Sequence, residues 1–227
     1  MFLERSSSSK PKKQNLKMNQ NIPLLLAIIA LTGVNSDVQQ LPEVHGDKFY
    51  YYGFGSNMLA KRIHIQNPTA EIIGPALLED YRVDFSLVSQ FWKGAVATIV
   101  PSPGSKTWGT LWEIDLTNLP DIDNQERVHL GWYKPISVQV KLQNNATEIP
   151  ARLYVISNEP KGNVHDLPPS EVPEDRQPSK TYLQVLVKGA IESGLPEEYV
   201  TWLKGFKHNN QRVQHLEELL ELQSVQL

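Results

Sequence analysis

The sequence contains no cysteine among its 227 residues. Disulfide bonds, thiolate nucleophiles and cysteine metal sites are therefore excluded. Neither sign of charge is in large excess, since the formal net charge is −3 with 21% charged residues. This gives no reason to invoke nucleic acid as a partner. With 40% hydrophobic residues, the chain has the composition of a globular protein and is long enough for one domain with a full core.

Signatures of several common enzyme classes are missing as well. The sequence has no Gly-Lys-Ser/Thr phosphate loop and no Gly-x-Ser-x-Gly nucleophile elbow. Its six histidines show neither the His-x-x-x-His spacing nor the carboxylate pairing typical of a metal site. We therefore predict no metal and no cofactor.

The first 36 residues predict a secretory signal. Positive charge is concentrated at 10–17, and the apolar run 22–31 is about half the length of a membrane span. Val34 and Ser36 are small enough for the −3 and −1 positions of a cleavage site before Asp37. We expect a secreted protein without stable membrane insertion after cleavage.

Three features of the ends and turns leave alternatives open. The apolar run at 22–31 is also compatible with an uncleaved membrane anchor, and Met18 would start a shorter precursor with the same core. Asn145-Ala146-Thr147 is a glycosylation sequon in a predicted polar turn, which makes a glycoprotein a further hypothesis.

An aromatic strand that runs into a glycine-rich turn is the most informative local pattern. Residues 50–52 are three tyrosines, and two glycines at 53–55 allow a tight turn and close approach of a ligand to the backbone. Ser56 or Asn57 is the predicted N-cap of a helix over 58–66. The start of such a helix can hold a carboxylate or another anion, although an ordinary strand–turn–helix corner has the same pattern.

A second pattern predicts a functional carboxyl. Residues 118–129 have the features of a helix whose apolar face begins at Leu119 and Ile122, and the next position on that face is Glu126. A carboxyl directed into the protein is desolvated, and its pKa rises towards the range of a working acid or base. The alternative is a slightly rotated helix with Glu126 as a surface charge.

Together these segments resemble the γ-glutamylcyclotransferase family. The Tyr-Gly-Ser-Asn-Leu loop of that family is similar to 54–58, and its Arg-Ile-His and Asn-Pro patterns are similar to 62–64 and 67–68. Its Glu-Gln-Glu motif, whose second glutamate is catalytic, matches 124–126. The resemblance covers roughly 48–206.

The resemblance implies an α+β fold, a small and mostly antiparallel β-barrel with flanking helices. It implies cyclisation of a small-molecule γ-glutamyl substrate to 5-oxoproline with release of the amino acid, in glutathione metabolism. Glu126 would be the general acid and base. The implied substrate-binding residues are Phe54, Gly55, Ser56, Asn57, Met58, Tyr133 and Tyr154. No cofactor and no nucleic acid are implied, and a homodimer is a hypothesis.

Two departures from the family pattern keep other functions open. Phe54 replaces the loop tyrosine and lacks its hydroxyl, and Arg127 stands where the family usually has a small residue. Because adjacent helical residues point in different directions, we expect Arg127 to face solvent. The alternatives are a secreted binding protein with the same pocket, or the same chemistry on γ-glutamylamines such as crosslinked lysine.

The predicted organisation is a signal peptide at 1–36, a linker at 37–47, the domain at 48–206 and a helical tail at 207–227. Strands are predicted at 71–78, 81–89, 95–100, 107–114, 136–142 and 149–156. A long surface loop at 157–179 precedes helices at 181–193, 197–206 and 213–222.

Overall fold

The computed structural model describes residues 41–144 and 147–227. The predicted signal segment, the first part of the linker and the first two residues of the sequon lie outside the described residues. Over the described ranges, we find no helix with the length and apolar character needed to cross a membrane.

Strands and short helices alternate along the described chain. The strands are β1 Val44–His45, β2 Lys48–Gly53, β3 Glu71–Ser89, β4 Gly94–Asp115, β5 Tyr133–Leu142 and β6 Glu148–Ile156. The α-helices are α1 Ala60–Ile63, α2 Leu119–Gln125, α3 Lys180–Glu192, α4 Glu197–Lys204 and α5 Gln214–Leu219. Short 3-10 turns, among them Ser56–Met58 and Val128–Leu130, connect them.

Five of the strands close into a barrel. Their order is β2-β4-β3-β5-β6, and β6 returns to pair with β2 in parallel where Tyr51 faces Arg152. All other neighbouring strands pair antiparallel. The predicted fold, a small and mostly antiparallel barrel with flanking helices, is therefore confirmed.

The sequence pattern predicts four strands where the structure has two. The strands predicted at 71–78 and 81–89 are both part of β3, and those predicted at 95–100 and 107–114 are both part of β4. The ladder between β3 and β4 shifts register between Glu79 and Tyr81. There Asp80 adopts φ 62° and accepts a hydrogen bond from Gly104 N–H at 2.7 Å. The segment between the predicted strands 95–100 and 107–114 is thus a bulge in one strand, because an unpaired insertion can be accommodated while the ladder continues on both sides.

Two hydrophobic cores lie on either side of β2. Strand side chains alternate, so Tyr52 enters the main core whereas Phe49 and Tyr51 enter the second. The main core includes buried residues of α3, α4, α5 and the chain after α5. The second core contains Ile63 of α1 and Ile122 of α2, both fully buried, and it therefore holds these two helices against the barrel.

The helix after the glycine turn is shorter than predicted, and its predicted cap is wrong. α1 begins at Ala60 with Leu59 as its N-cap, in an extended conformation and without a side-chain cap bond. The Asn57 side chain donates instead to the Tyr51 hydroxyl at 2.9 Å. Met58 and Leu59 are both fully buried, so packing of these two side chains determines the backbone path in place of local capping preference.

Gly189 of α3 allows this path. A Cβ atom at position 189 would lie 2.6 Å from the Leu59 nitrogen and 2.8 Å from the Met58 carbonyl carbon. Both neighbours are backbone atoms, which cannot move away by changing a rotamer. The helix and the loop can therefore approach this closely only because residue 189 has no side chain.

We expect Gly189→Ala to destabilise the protein by about 1–3 kcal/mol, the usual cost of overpacking a close contact. The matched control is Gly205→Ala, because Gly205 has a right-handed helical backbone and its nearest new contact would be at 3.3 Å. The measurement is the free energy of unfolding in urea. Equal stability of the two variants would contradict the proposed close approach.

Candidate functional site

A cavity of about 650 Å³ opens where four segments of the chain meet. The segments are the loop at 54–57, the C-terminal end of α2, the first turn of α3 and the β3–β4 tip at 87–92. The second core positions α2, and Gly189 positions the loop against α3. The cavity walls are therefore held both by the second core and by the close contact between the loop and α3.

Glu126 follows α2 directly and lines the cavity. It is the C-cap of that helix, and its N–H donates to the Ile122 carbonyl at 3.0 Å. Burial raises the pKa of Glu126 to about 7, against the opposing effects of a hydrogen bond from Gln125 and the positive charge of Arg62. The carboxyl can therefore gain and lose a proton near neutral pH.

A chain of amide hydrogen bonds connects this carboxyl to the loop. Gln125 Nε2 donates to Glu126 Oε1 at 2.9 Å and lies 3.3 Å from Asn57 Oδ1. Asn57 is held in turn by Tyr51, and Asn67 Nδ2 lies 3.4 Å from Gln125 Oε1. Because each amide is oriented by the next, the position of Glu126 depends on the position of the loop.

Arg62 of α1 supplies positive charge to the same cavity. Burial lowers its pKa, whereas Glu126 and Tyr182 act in the opposite direction. Within the described ranges, the side chain has one weak hydrogen bond, to Gln66 at 3.5 Å, its buried Nε has no partner, and no carboxylate forms a salt bridge with it. The guanidinium is therefore available to an anion in the cavity.

Tyr182 is the first aromatic residue of α3. Ser179 caps this helix through its hydroxyl, which accepts from Tyr182 N–H at 3.0 Å. The Tyr182 hydroxyl accepts from Ala97 N–H at 3.1 Å. Burial raises its pKa to about 12 in spite of that bond, so the side chain is a neutral phenol that can donate a hydrogen bond at neutral pH.

The structure brings most of the predicted binding residues together. Those that line the cavity with Glu126 are Phe54, Gly55, Ser56, Asn57, Tyr133 and Tyr154. Met58 does not line it, because its side chain is fully buried in the main core. The Tyr154 hydroxyl already donates to Asp123 at 2.6 Å and accepts from Arg152 at 2.8 Å, so it has no free proton to offer a ligand.

The loop offers backbone N–H groups at the start of the 3-10 turn Ser56–Met58, whereas the predicted α-helix begins only at Ala60. Met58 and Leu59 donate within the loop, to the carbonyls of Gly55 and Ser56. No acceptor in the described part of the chain pairs with N–H of Gly55 or Asn57. A Cβ atom at Gly55 would approach the Tyr182 hydroxyl to 3.3 Å, so the glycine keeps the space between loop and phenol open.

Sequence reasoning missed Arg62, Tyr182 and the tip at 87–92 as parts of the site. Arg62 belonged to the quoted Arg-Ile-His pattern, but no role followed from it. Tyr182 gave no local signal, since its hydroxyl meets Ala97, 85 positions away. Across the residues that the structure describes, no group of three or more His, Asp or Glu side chains could hold a metal ion.

Comparison with known proteins finds relatives over most of the chain. The model of the AIG2-like family matches residues 106–203. The γ-glutamylcyclotransferase of Bos taurus is 35% identical over 192 residues, which cover 83% of this chain and 94% of the relative. The Homo sapiens protein of the same name is 36% identical and covers 78% and 88%. A solved structure named γ-glutamyl cyclotransferase has a TM-score of 0.66 at 34% identity, covering 77% and 98%.

The raised pKa of Glu126 predicts how stability changes with pH. The fold favours the protonated carboxyl, so its contribution is present below the ordinary pKa of 4.5 and is lost as the pH rises through about 7. We expect the free energy of unfolding of the native protein, relative to Glu126→Gln, to fall between these two pH values and to be constant above them. Urea denaturation of both proteins across this range measures the difference. A difference independent of pH would mean that the carboxyl is not desolvated.

Proposed function

The chain belongs to the γ-glutamylcyclotransferase family, and from this premise we propose that it converts γ-glutamyl amino acids into 5-oxoproline and the free amino acid, with Glu126 as general acid and base. The observation that carries the proposal is a carboxyl with a pKa near neutrality that lines a cavity beside a polar loop.

The reaction needs little more than a folded substrate. The α-amine of the glutamyl group attacks its own γ-carbonyl carbon, a carbon–nitrogen bond closes the five-membered lactam, and the bond to the departing amino acid breaks. Nucleophile and electrophile belong to one molecule, so binding it in a bent conformation supplies proximity. The protein then has to move protons and to bind charge.

Glu126 is suited to both proton transfers. Its ionised form takes a proton from the substrate ammonium, and its protonated form returns one to the nitrogen that leaves. Gln125 occupies Oε1, which leaves Oε2 to face the substrate. A pKa of about 7 means that neither form is rare at neutral pH.

We assign the charged and polar ends of the glutamyl group to the inner part of the cavity. The guanidinium of Arg62, which forms no salt bridge within the described ranges, would hold the α-carboxylate beside Glu126. The N–H groups of Gly55 and Asn57 and the hydroxyl of Tyr182 would bind the carbonyl oxygen, where negative charge develops. Tyr133, Tyr154 and Phe54 would form the wall of the cavity. Since Phe54 has no part in proton transfer, the absence of a hydroxyl at this position would not impair the reaction.

We expect Glu126→Gln to lower turnover by roughly 10²- to 10⁴-fold with little change in substrate binding, because the amide keeps the shape but cannot accept a proton. The measurement is 5-oxoproline released from several γ-glutamyl dipeptides. Asp121→Asn is the control, since Asp121 is an exposed residue of the same helix outside the cavity.

Retained turnover in a folded Glu126→Gln protein would remove this residue from the mechanism. Binding of γ-glutamyl dipeptides by the native protein without any 5-oxoproline would support the alternative of a binding protein.

We also propose that the protein is exported, that 1–36 is removed, and that 48–206 forms the catalytic domain. Support comes from the charge, apolar run and small residues of the N-terminal segment. N-terminal sequencing of protein from the medium is expected to begin at or near Asp37. An intact N-terminus in the cytosolic fraction would contradict export, and one in the membrane fraction would favour an anchor.

A further inference from the structure

The mouth of the cavity is apolar and exposed. Two segments form it, the β3–β4 tip at 87–92 and the turn at 127–132. Phe91, Leu130 and Trp132 have exposed fractions of 53%, 56% and 51%. Large apolar side chains that cluster at a cavity entrance mark a binding surface.

Arg127 has a strained backbone at this mouth. It adopts the left-handed conformation, with φ 54° and ψ 38°, which is costly for a residue with a side chain. Its carbonyl accepts hydrogen bonds from N–H of Leu130 at 3.0 Å and of Trp132 at 3.3 Å. These two bonds hold Arg127, Leu130 and Trp132 in one backbone turn, and all three residues line the cavity.

No contact of the Arg127 side chain within the described residues explains why this residue adopts a left-handed backbone conformation. It is exposed, as its position beside Glu126 predicted, but it also lines the cavity. In the part of the chain that the structure describes, it makes neither a salt bridge nor a side-chain hydrogen bond. A strained arginine without a structural partner at a cavity entrance suggests a ligand.

The charges of the cavity match those of a γ-glutamyl dipeptide. Three charged side chains line it, namely Arg62, Glu126 and Arg127. A γ-glutamyl dipeptide has two carboxylates and one ammonium group. Arg62 and Glu126 account for the carboxylate and the ammonium of the glutamyl part, so the second carboxylate, on the departing amino acid, remains for Arg127.

We infer that Arg127, Phe91, Leu130 and Trp132 form a subsite for the departing amino acid, which selects γ-glutamyl dipeptides whose second residue has a free carboxylate and a large apolar side chain. The inference rests on the proposed function and extends it to substrate choice. Arg127 binds the carboxylate, and the three apolar residues bind the side chain.

Aromatic rings in contact with one another connect the mouth to the inner cavity. Phe91 and Trp92 meet edge to face with centroids 5.0 Å apart, and Trp92 meets Tyr182 in the same way at 4.9 Å. The tip that carries Phe91 is therefore connected through Trp92 to Tyr182 in the inner cavity. A substrate can place its glutamyl group inside and its second residue at the mouth.

The test compares γ-glutamyl-leucine with γ-glutamyl-isoamylamide, which differs only by the absence of the leucine carboxylate. We expect Arg127→Gly to lower kcat/KM for γ-glutamyl-leucine by roughly 2- to 10-fold, the range for one charge-assisted hydrogen bond at an exposed site. For γ-glutamyl-isoamylamide we expect little change in kcat/KM. Glycine also suits the left-handed backbone, so the variant is expected to fold. Lys134→Ala is the control for loss of one positive charge, because Lys134 is exposed and lies outside the cavity.

The apolar part is tested with γ-glutamyl-glycine. We expect kcat/KM to be roughly 10-fold higher for γ-glutamyl-leucine, as burial of an isobutyl group implies, and Trp132→Ser to reduce this ratio. Equal losses on dipeptide and amide in Arg127→Gly, or equal rates for the leucine and glycine substrates, would overturn the inference.

A binding measurement separates this inference from the proposed function. Calorimetric titration of the Glu126→Gln protein with γ-glutamyl-leucine and with γ-glutamyl-isoamylamide measures binding at the subsite without turnover. We expect a several-fold lower Kd for γ-glutamyl-leucine. Tight, selective binding with no 5-oxoproline from the native protein would leave the subsite and reject the reaction. Equal Kd values for the two compounds would reject the subsite.

Discussion

The structure depends on β2 pairing with strands on both sides. It pairs antiparallel with β4 along its whole length and in parallel with β6 at Tyr51 and Arg152. Side chains of β2 alternate between the main core on one face and the second core on the other, which explains why three successive tyrosines can occupy 50–52. The same strand ends at Gly53 and delivers the loop at 54–57 directly to the cavity.

The chemistry of the site arises from opposing electrostatic effects on one carboxyl. Burial disfavours the charged form of Glu126, whereas Gln125 and Arg62 favour it, and the outcome is a pKa of about 7. Gln125 is oriented by Asn57, which is itself held by Tyr51 of β2. The barrel strand, the loop and the carboxyl are therefore connected through the side chains of Tyr51, Asn57 and Gln125.

Different parts of the cavity serve the proposed reaction and the proposed choice of substrate. Its inner part rests on β2, α2 and α3, elements held by the two cores. Its mouth consists of a hairpin tip and a turn, where Leu87 and Arg127 both have positive φ angles. Loops on a rigid scaffold tolerate substitution more readily than core elements do. The mouth can therefore change substrate preference while the inner geometry stays the same.

Some of this architecture follows from the sequence because it depends on local periodicity. The β5–β6 hairpin, helix α3 and the place of Glu126 on the face of Ile122 all arise from side-chain alternation or helical spacing. Tertiary structure alone decided the short α1, since burial of Met58 and Leu59 overrides the predicted cap, and the continuity of β3 and β4 across a bulge. It also decided that Arg62 and Tyr182 share a cavity with Glu126, because contacts between residues far apart in sequence follow from closure of the barrel and leave no pattern in any single segment.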